Sequence, residues 1–227
     1  MCGRFDIHSA IEIIARVFDI DDVACDVAAD YNVTPARDIP IVVNEGKKNR
    51  LILSRWGFLP SWAKDTRTGY SMINARAETI DSNRSYRDAF LMGRCLVVAD
   101  GFYEWQRRGR AKVPYYIHLR TGGPMAFCGL FNTWTSPDGR EIRTSTIVTT
   151  GANELVAQIH DRMPVILHHA DFSRWLDPGV HDKTVLKRFL TPFPSGELEA
   201  YPVSPKVNSP GFNSPDAIKP VTGSSTF

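Results

Sequence analysis

A chain of 227 residues, 43% hydrophobic and 23% charged, has enough apolar side chains for a sizeable core, built as one large domain or two small ones. A formal net charge of +2 is too small to mark a nucleic-acid binder by its total alone. No basic-then-apolar leader and no apolar run of about 18 residues is present, so neither export nor a membrane span is expected.

In chain order, Ile11, Ile14, Ala15 and Phe18 share one face of a helix running to about Ile20, with Ser9 and Glu12 spaced as a capping box. The polar stretch 19–30 and the following YNVTP read as loop. IPIVV (39–43) and LILSRWGF (51–58) read as strands joined by the turn NEGKKN. LPSWAKDTRTGY reads as an exposed loop in which Trp62 is out of place. RSYRDAFLMGR (84–94) suits a short helix. CLVVAD, GFYEWQ, PYYIHL, MAFCGLF and TSTIVTT read as strands, punctuated by turns at RRGR and SPDGR, the second as a hairpin.

Further on, NELVAQIH is expected to be a short helix ending at His160, and MPVIL resumes as strand. ADFSRWL and DKTVLKRFL are late helices, and the Ser/Pro/Asn-rich segment from Ser204 is irregular. Without repeats or a dividing linker, the expected fold is α+β: a single sheet-dominated domain with a barrel-like β core and peripheral helices, over residues 1–221, with a flexible tail at 222–227. The charge is uneven along this chain. Between Arg84 and Arg120, eight basic residues (Arg84, Arg87, Arg94, Arg107, Arg108, Arg110, Lys112, Arg120) face three acids (Asp88, Asp100, Glu104), either a phosphate-binding stretch or a solvated basic face.

Four cysteines, Cys2, Cys25, Cys95 and Cys128, form no CxxC pair and no zinc spacing; the sequence as a whole calls for neither a metal nor an organic cofactor. Cys95 and Cys128 lie in apolar runs and read as packing residues, and a reducing cytosolic or nuclear compartment fits the set. Cys2 is different. Removal of Met1 would leave an α-amine and a thiol on adjacent carbons, a 1,2-aminothiol that condenses with an aldehyde and closes into a thiazolidine. Its amine, with a pKa of about 7.7–8.0 against about 10.4 for lysine, is partly unprotonated at neutral pH.

MCGR (1–4), INARAET (73–79), DGFYEW (100–105) and IHDRMPVIL (159–167) each hold uncommon polar combinations, and each alone has an ordinary reading. Asn74 could bond backbone in a turn, Arg76 and Glu78 could be solvated strand-edge residues, and Glu104 could be the polar position of an alternating strand. His160 could end a helix in favourable contact with its dipole. Taken in order with YNVTP and WGFLPSW, however, these motifs resemble the SRAP family of abasic-site processing proteins, and the resemblance runs from Met1 to IKPV (218–221).

That resemblance implies a mature N-terminal Cys2 that crosslinks to the ring-opened aldehyde of abasic sites in single-stranded DNA. It implies that Asn74 positions the N-terminus, that Glu104 is a general acid/base and that His160 moves protons at the Schiff-base stage. Elimination of the 3′ phosphate from the same intermediate would give AP-lyase activity. For DNA binding it points to Arg4, Arg76 and Arg162 as phosphate ligands, Arg84 as a further one, Asn32 as a cleft residue and Trp62 as a base-stacking platform. The implied protein is a monomer that is cytoplasmic, nucleoid-associated in a bacterium, and needs no metal. The polar loop after Trp62 departs from the pattern, which leaves contacts to a neighbouring duplex open. Two rival classes remain: a cysteine peptidase built on Cys2, His160 and Glu104, either general or limited to removing its own Met1, and a non-enzymatic single-strand-binding module using the basic stretch and Trp62.

Overall fold

The computed structural model of the chain describes residues 2–221. Its strands are β1 (Phe5–Ile7), β2 (Asp22–Val23), β3 (Asp30–Val33), β4 (Asp38–Glu45), β5 (Lys48–Trp56), β6 (Asn74–Arg76) and β7 (Arg94–Ala99). They continue as β8 (Gly101–Arg108), β9 (Ala111–Leu119), β10 (Met125–Thr135), β11 (Glu141–Gly151), β12 (Arg162–Pro164), β13 (Ile166–Leu167) and β14 (Leu198–Pro202). The helices are short: α1 (Ile11–Val17), α2 (Arg87–Met92), α3 (His169–Leu176) and α4 (Lys183–Lys187).

Two sheets organise the domain. The larger runs β12-β11-β10-β7-β4-β5-β2, and a parallel pairing of β11 with β5 joins the path back on itself, so β11, β10, β7, β4 and β5 form a closed, barrel-like ring. The smaller has the order β14-β9-β8-β1-β3. Phe5 on β1 packs between them, edge-on to Trp56 at 5.0 Å and to Phe127 at 6.0 Å, while Phe102 meets Phe127 at 6.0 Å. Burying such rings contributes most of the adhesion between the sheets, and deleting one costs about 3–5 kcal/mol.

The outer face of the smaller sheet carries a second, aromatic core. Tyr103 and Tyr116 are buried there with Val203, Val207 and Ala217 from the C-terminal segment. That segment is irregular, as its composition implies, but it is tied down by 3-10 turns at Pro205–Asn208 and Pro215–Ile218, each capped by the preceding serine. The Tyr201 hydroxyl donates to the Ile218 carbonyl at 2.8 Å, and the Asn213 side chain accepts from the Tyr31 N–H at 2.8 Å. The tail expected at 222–227 lies outside the described residues.

Four local expectations are corrected. Ser9 does not cap α1: the N-cap is Ala10, without a side-chain cap bond, and the Ser9 hydroxyl is donated to Asp100, a buried carboxylate that competes better for it. The helix ends at Val17, short of Ile20, because Asp19 turns to φ 50°. YNVTP is partly strand, since β3 pairs with β1 across a sequence gap that no local pattern reveals. NELVAQIH forms a single 3-10 turn at Val156–Gln158.

Gly101 opens β8 against the ring of Tyr116, and a Cβ at that position would lie 2.4 Å from Tyr116 Cζ. The ring is held by Tyr103 and Tyr201 at centroid distances of 5.3 and 5.8 Å, so it has little room to yield. Gly101→Ala is therefore expected to destabilise the fold by about 1–3 kcal/mol. Thermal unfolding would register this as a lower Tm, at about 2–4 °C per kcal/mol for a domain of this size; an unchanged Tm would mean that the ring moves aside freely.

Candidate active site

The N-terminal residues enter the site by sheet pairing. Phe5 lies opposite Phe102, and the Tyr103 N–H donates to the Arg4 carbonyl at 2.9 Å, which seats Cys2 beside the stretch of β8 that carries Glu104. Cys2 is fully buried. Burial, and next the charge of Glu104, push its thiol well above the ordinary range, so the neutral thiol is the stable form.

Asn74 reaches the same place from β6, which pairs in parallel with β11 at Ile147. Its Nδ2 donates to the Cys2 carbonyl at 2.8 Å, and its own carbonyl accepts from the Tyr86 hydroxyl at 3.2 Å. The Asn74 Oδ1 is buried and has no hydrogen-bond partner among the described residues, which leaves a fixed acceptor inside the site.

Glu104 is only 3% exposed. Its neighbours Tyr103 and Trp105 point to the opposite face of β8, as strand alternation requires. Burial raises the Glu104 carboxyl, with the His160 charge among the effects that oppose the rise. The His160 Nε2 stands 3.9 Å from Glu104 Oε2. On the other side of that ring, Nδ1 is 3.0 Å from the Arg162 backbone N–H and 3.0 Å from the Asp161 Oδ1. A neutral ring accepts from Arg162 and so carries its proton on Nε2, facing Glu104; a cationic ring donates from Nδ1 to Asp161 instead. At 3.9 Å, Nε2 and the carboxyl are adjacent but beyond direct hydrogen-bond distance.

The six residues expected to bind DNA are placed unequally. The Arg4 Nη1 donates to Asn32 Oδ1 and to the Val207 carbonyl, both at 2.7 Å, and its guanidinium lies 5.8 Å over the Trp105 ring. Burial pulls the Arg4 pKa below its usual value. Asn32 stands behind Arg4: it is buried, and its Nδ2 is engaged by the carbonyls of Val207, Ser209 and Phe212 at 2.9–3.3 Å. Its amide is fully used in holding Arg4 and the C-terminal segment.

Arg162 makes a forked pair with Glu78, at 2.5 and 3.0 Å, and also donates to the Thr149 carbonyl at 2.7 Å. Arg76 is exposed and lies opposite Thr149, so Arg76, Glu78 and Arg162 share one edge. Arg84 and Trp62 form a separate pair, with the guanidinium 6.0 Å over the ring, and Trp62 is 45% exposed. Arg84 also lines a cavity of about 290 Å³ with Phe58, Pro60, Ala89 and Met92. This pair joins the cleft through Tyr86, which packs on Phe58 at 5.4 Å.

Two site residues escaped the sequence reading. Glu78 was visible within INARAET but reads there as a solvated edge residue. Tyr86 sits in a stretch that signals only a helix. Away from the cleft, Asp6, His8 and Asp100 bring ligand-type atoms within 4.8 Å of one another. Asp6 Oδ2 bonds the His8 ring at 2.6 Å, and Asp100 Oδ2 accepts from the backbone N–H of His8 and Ser9. The cluster is an ion-pair network of two buried carboxylates and an exposed histidine.

Among the described residues, no helix is long and apolar enough to cross a membrane. The chain is 44% identical to the abasic site processing protein YoqW of Bacillus subtilis over 222 residues, covering 96% of this chain and 99% of that protein. It is 32% identical to the abasic site processing protein HMCES of Gallus gallus, over 84% of this chain and 66% of that protein. A crystal structure of a Bacteroides thetaiotaomicron protein superposes with a TM-score of 0.87 at 26% identity, over 97% of this chain and 100% of that one. The sequence profile of the SOS response associated peptidase (SRAP) family matches residues 1–210, and the chain belongs to that family.

Proposed function

We propose that this chain processes abasic sites in single-stranded DNA by covalent capture through a mature N-terminal Cys2. The observation that carries the reading is the meeting of Cys2, Asn74, Glu104 and His160 in one buried cleft, although they come from four separate stretches of the chain. The relatives named as abasic site processing proteins supply the substrate class.

With Met1 removed, the Cys2 amine attacks C1′ of the ring-opened sugar and forms a carbinolamine. Expelling its hydroxyl as water needs a proton, and Glu104 is kept protonated by burial to higher pH than an ordinary carboxylate, so it serves as the acid. The thiol then adds to C1′ of the Schiff base while its proton passes to the Glu104 carboxylate. Amine, aldehyde and thiol thus become a thiazolidine plus one water, and Glu104 ends as it began. His160, with Nε2 3.9 Å from Glu104, exchanges a proton with it through a bridging water or substrate hydroxyl, and the Asn74 Oδ1 accepts from the reacting amine. The same Schiff base can instead lose the 3′ phosphate, which is the AP-lyase branch. Arg4, Arg76, Arg84 and Arg162 bind phosphates and Trp62 stacks on a base, while Asn32 acts by orienting Arg4. Phosphate capture by Arg162 has to compete with Glu78.

The domain spans 1–221 and functions as a monomer without metal. A general cysteine peptidase fits the site less well: its thiol should be drawn down by a neighbouring cation, whereas the Cys2 thiol is pushed up and faces a carboxylate. A plain strand-binding module makes no use of Cys2.

Mature, untagged protein mixed with a single-stranded oligonucleotide carrying one abasic site is expected to give a protein–DNA band on a denaturing gel, absent with intact DNA. Cys2→Ala should retain at most an adduct that needs borohydride to survive; a heat-stable adduct from it would sink the thiazolidine. Glu104→Gln should slow capture by about 10²–10⁴-fold. The wild-type rate should rise as the amine deprotonates and fall as pH passes the raised Glu104 pKa. Loss of that upper limb in Glu104→Gln is the signature to measure.

A further inference from the structure

The capture chemistry leaves the most basic element of the molecule unused. The β8–β9 hairpin carries Arg107, Arg108, Arg110 and Lys112, all exposed, around a tight turn in which Gly109 takes φ 61°. Arg107 lies directly opposite Lys112 across the ladder. Like charges in facing positions destabilise a strand pair, so folding alone does not account for them. No described carboxylate pairs with any of the four, whereas Arg50, Arg67, Arg140 and Arg162 elsewhere each have one.

The hairpin is continuous with the cleft. Glu104, Gln106 and Arg108 share one face of β8, and four residues of strand place Arg108 about 13 Å from Glu104. Arg108 is held rigid by Gln106 Oε1 at 2.6 Å and the Tyr115 hydroxyl at 2.8 Å, both neutral, so its charge stays available. Arg107 lines a polar cavity of about 440 Å³ together with Trp105, Gln106, Gln158, His160 and Asp161, which draws on residues from both faces of β8. The Gln106 side chain donates to the Gln158 carbonyl at 2.7 Å and ties the hairpin to the His160 turn.

We propose that the β8–β9 hairpin is a phosphate-binding arm that grips the DNA strand on one side of the lesion, with Arg107, Arg108, Arg110 and Lys112 following the backbone outward from the His160 cavity. The proposal rests on the capture reading for its substrate and adds the direction in which the strand leaves the site.

The test measures binding of the mature protein by fluorescence anisotropy across a range of salt concentrations. Its probes are oligonucleotides carrying a tetrahydrofuran abasic analogue, which has no aldehyde to be captured, at the centre, at the 5′ end or at the 3′ end. The triple variant Arg107→Gln/Arg110→Gln/Lys112→Gln should lower the salt slope on the central substrate by about 2, at about 0.7 per phosphate contact on single strands. The single variant Arg110→Gln, at the turn tip, should lower it by about 0.7. Arg107→Lys/Arg110→Lys should keep the wild-type slope, which separates charge from folding. The loss should appear with only one of the two end-labelled substrates, and that one identifies the side gripped.

Wild-type affinity and slope in the triple variant would overturn the arm, as would an equal loss whichever flank is present. The wild-type gel band decides the capture reading independently, so either idea can fail alone.

Discussion

The short ladder between β1 and β8 is the constraint on which the site depends. Chain ends normally fray, yet here Phe5 faces Phe102 and the Arg4 carbonyl accepts from Tyr103, so the N-terminus is part of a sheet. Strand alternation then sorts the side chains. Phe5 turns inward to Trp56 and Phe127, while Arg4 turns outward to Asn32 and the C-terminal segment. A slip of one residue would exchange these faces, burying Arg4 in the aromatic core and exposing Phe5. The packing of Phe5 thus fixes where Cys2 lies relative to Glu104.

The electrostatics of the cleft follow from that burial. Removal from water disfavours every charged form, raising the Cys2 thiol and the Glu104 carboxyl and lowering the Arg4 guanidinium. Such a site suits a reaction that begins with neutral partners, an unprotonated amine and an aldehyde, and that needs a proton at hand rather than a thiolate. In the proposed capture the thiol enters last, when the Schiff base is already electrophilic and the Glu104 carboxylate stands ready as base. A raised thiol pKa is no handicap in that order. It would be one if the thiol had to attack first.

The strands were legible where their neighbours are close in sequence. The 39–58 hairpin and the run from CLVVAD to TSTIVTT appear as strands, as their apolar runs suggest. What escaped was decided at long range. Ser9 gives its hydroxyl to Asp100 rather than to its own helix, and β3 exists because β1 lies beside it. The site shows the same division. The aminothiol chemistry of Cys2 can be read from two residues, but its meeting with Asn74, Glu104 and His160 could be inferred only by resemblance. Tyr86 carries no local mark, and Glu78, though visible within INARAET, gives no sign that Arg162 is its partner.

The C-terminal segment shows how far composition can mislead about importance. Its Ser, Pro and Asn content correctly signals the absence of long helices or strands. Those same residues let it follow the outer face of the sheet closely enough to place the Val207 carbonyl on Arg4 and the Asn208 side chain on the Trp105 N–H, each at 2.7 Å. Asn32 locks the arrangement by holding Arg4 with one end of its amide and three tail carbonyls with the other. An asparagine is well suited to this, since one planar group offers an acceptor and two donors. A charged Asp in its place would hold Arg4 but leave the tail carbonyls facing an acceptor, and a leucine would satisfy neither. The first strand and the last segment of the chain are therefore parts of one site, joined through a residue that itself faces neither the thiol nor the solvent.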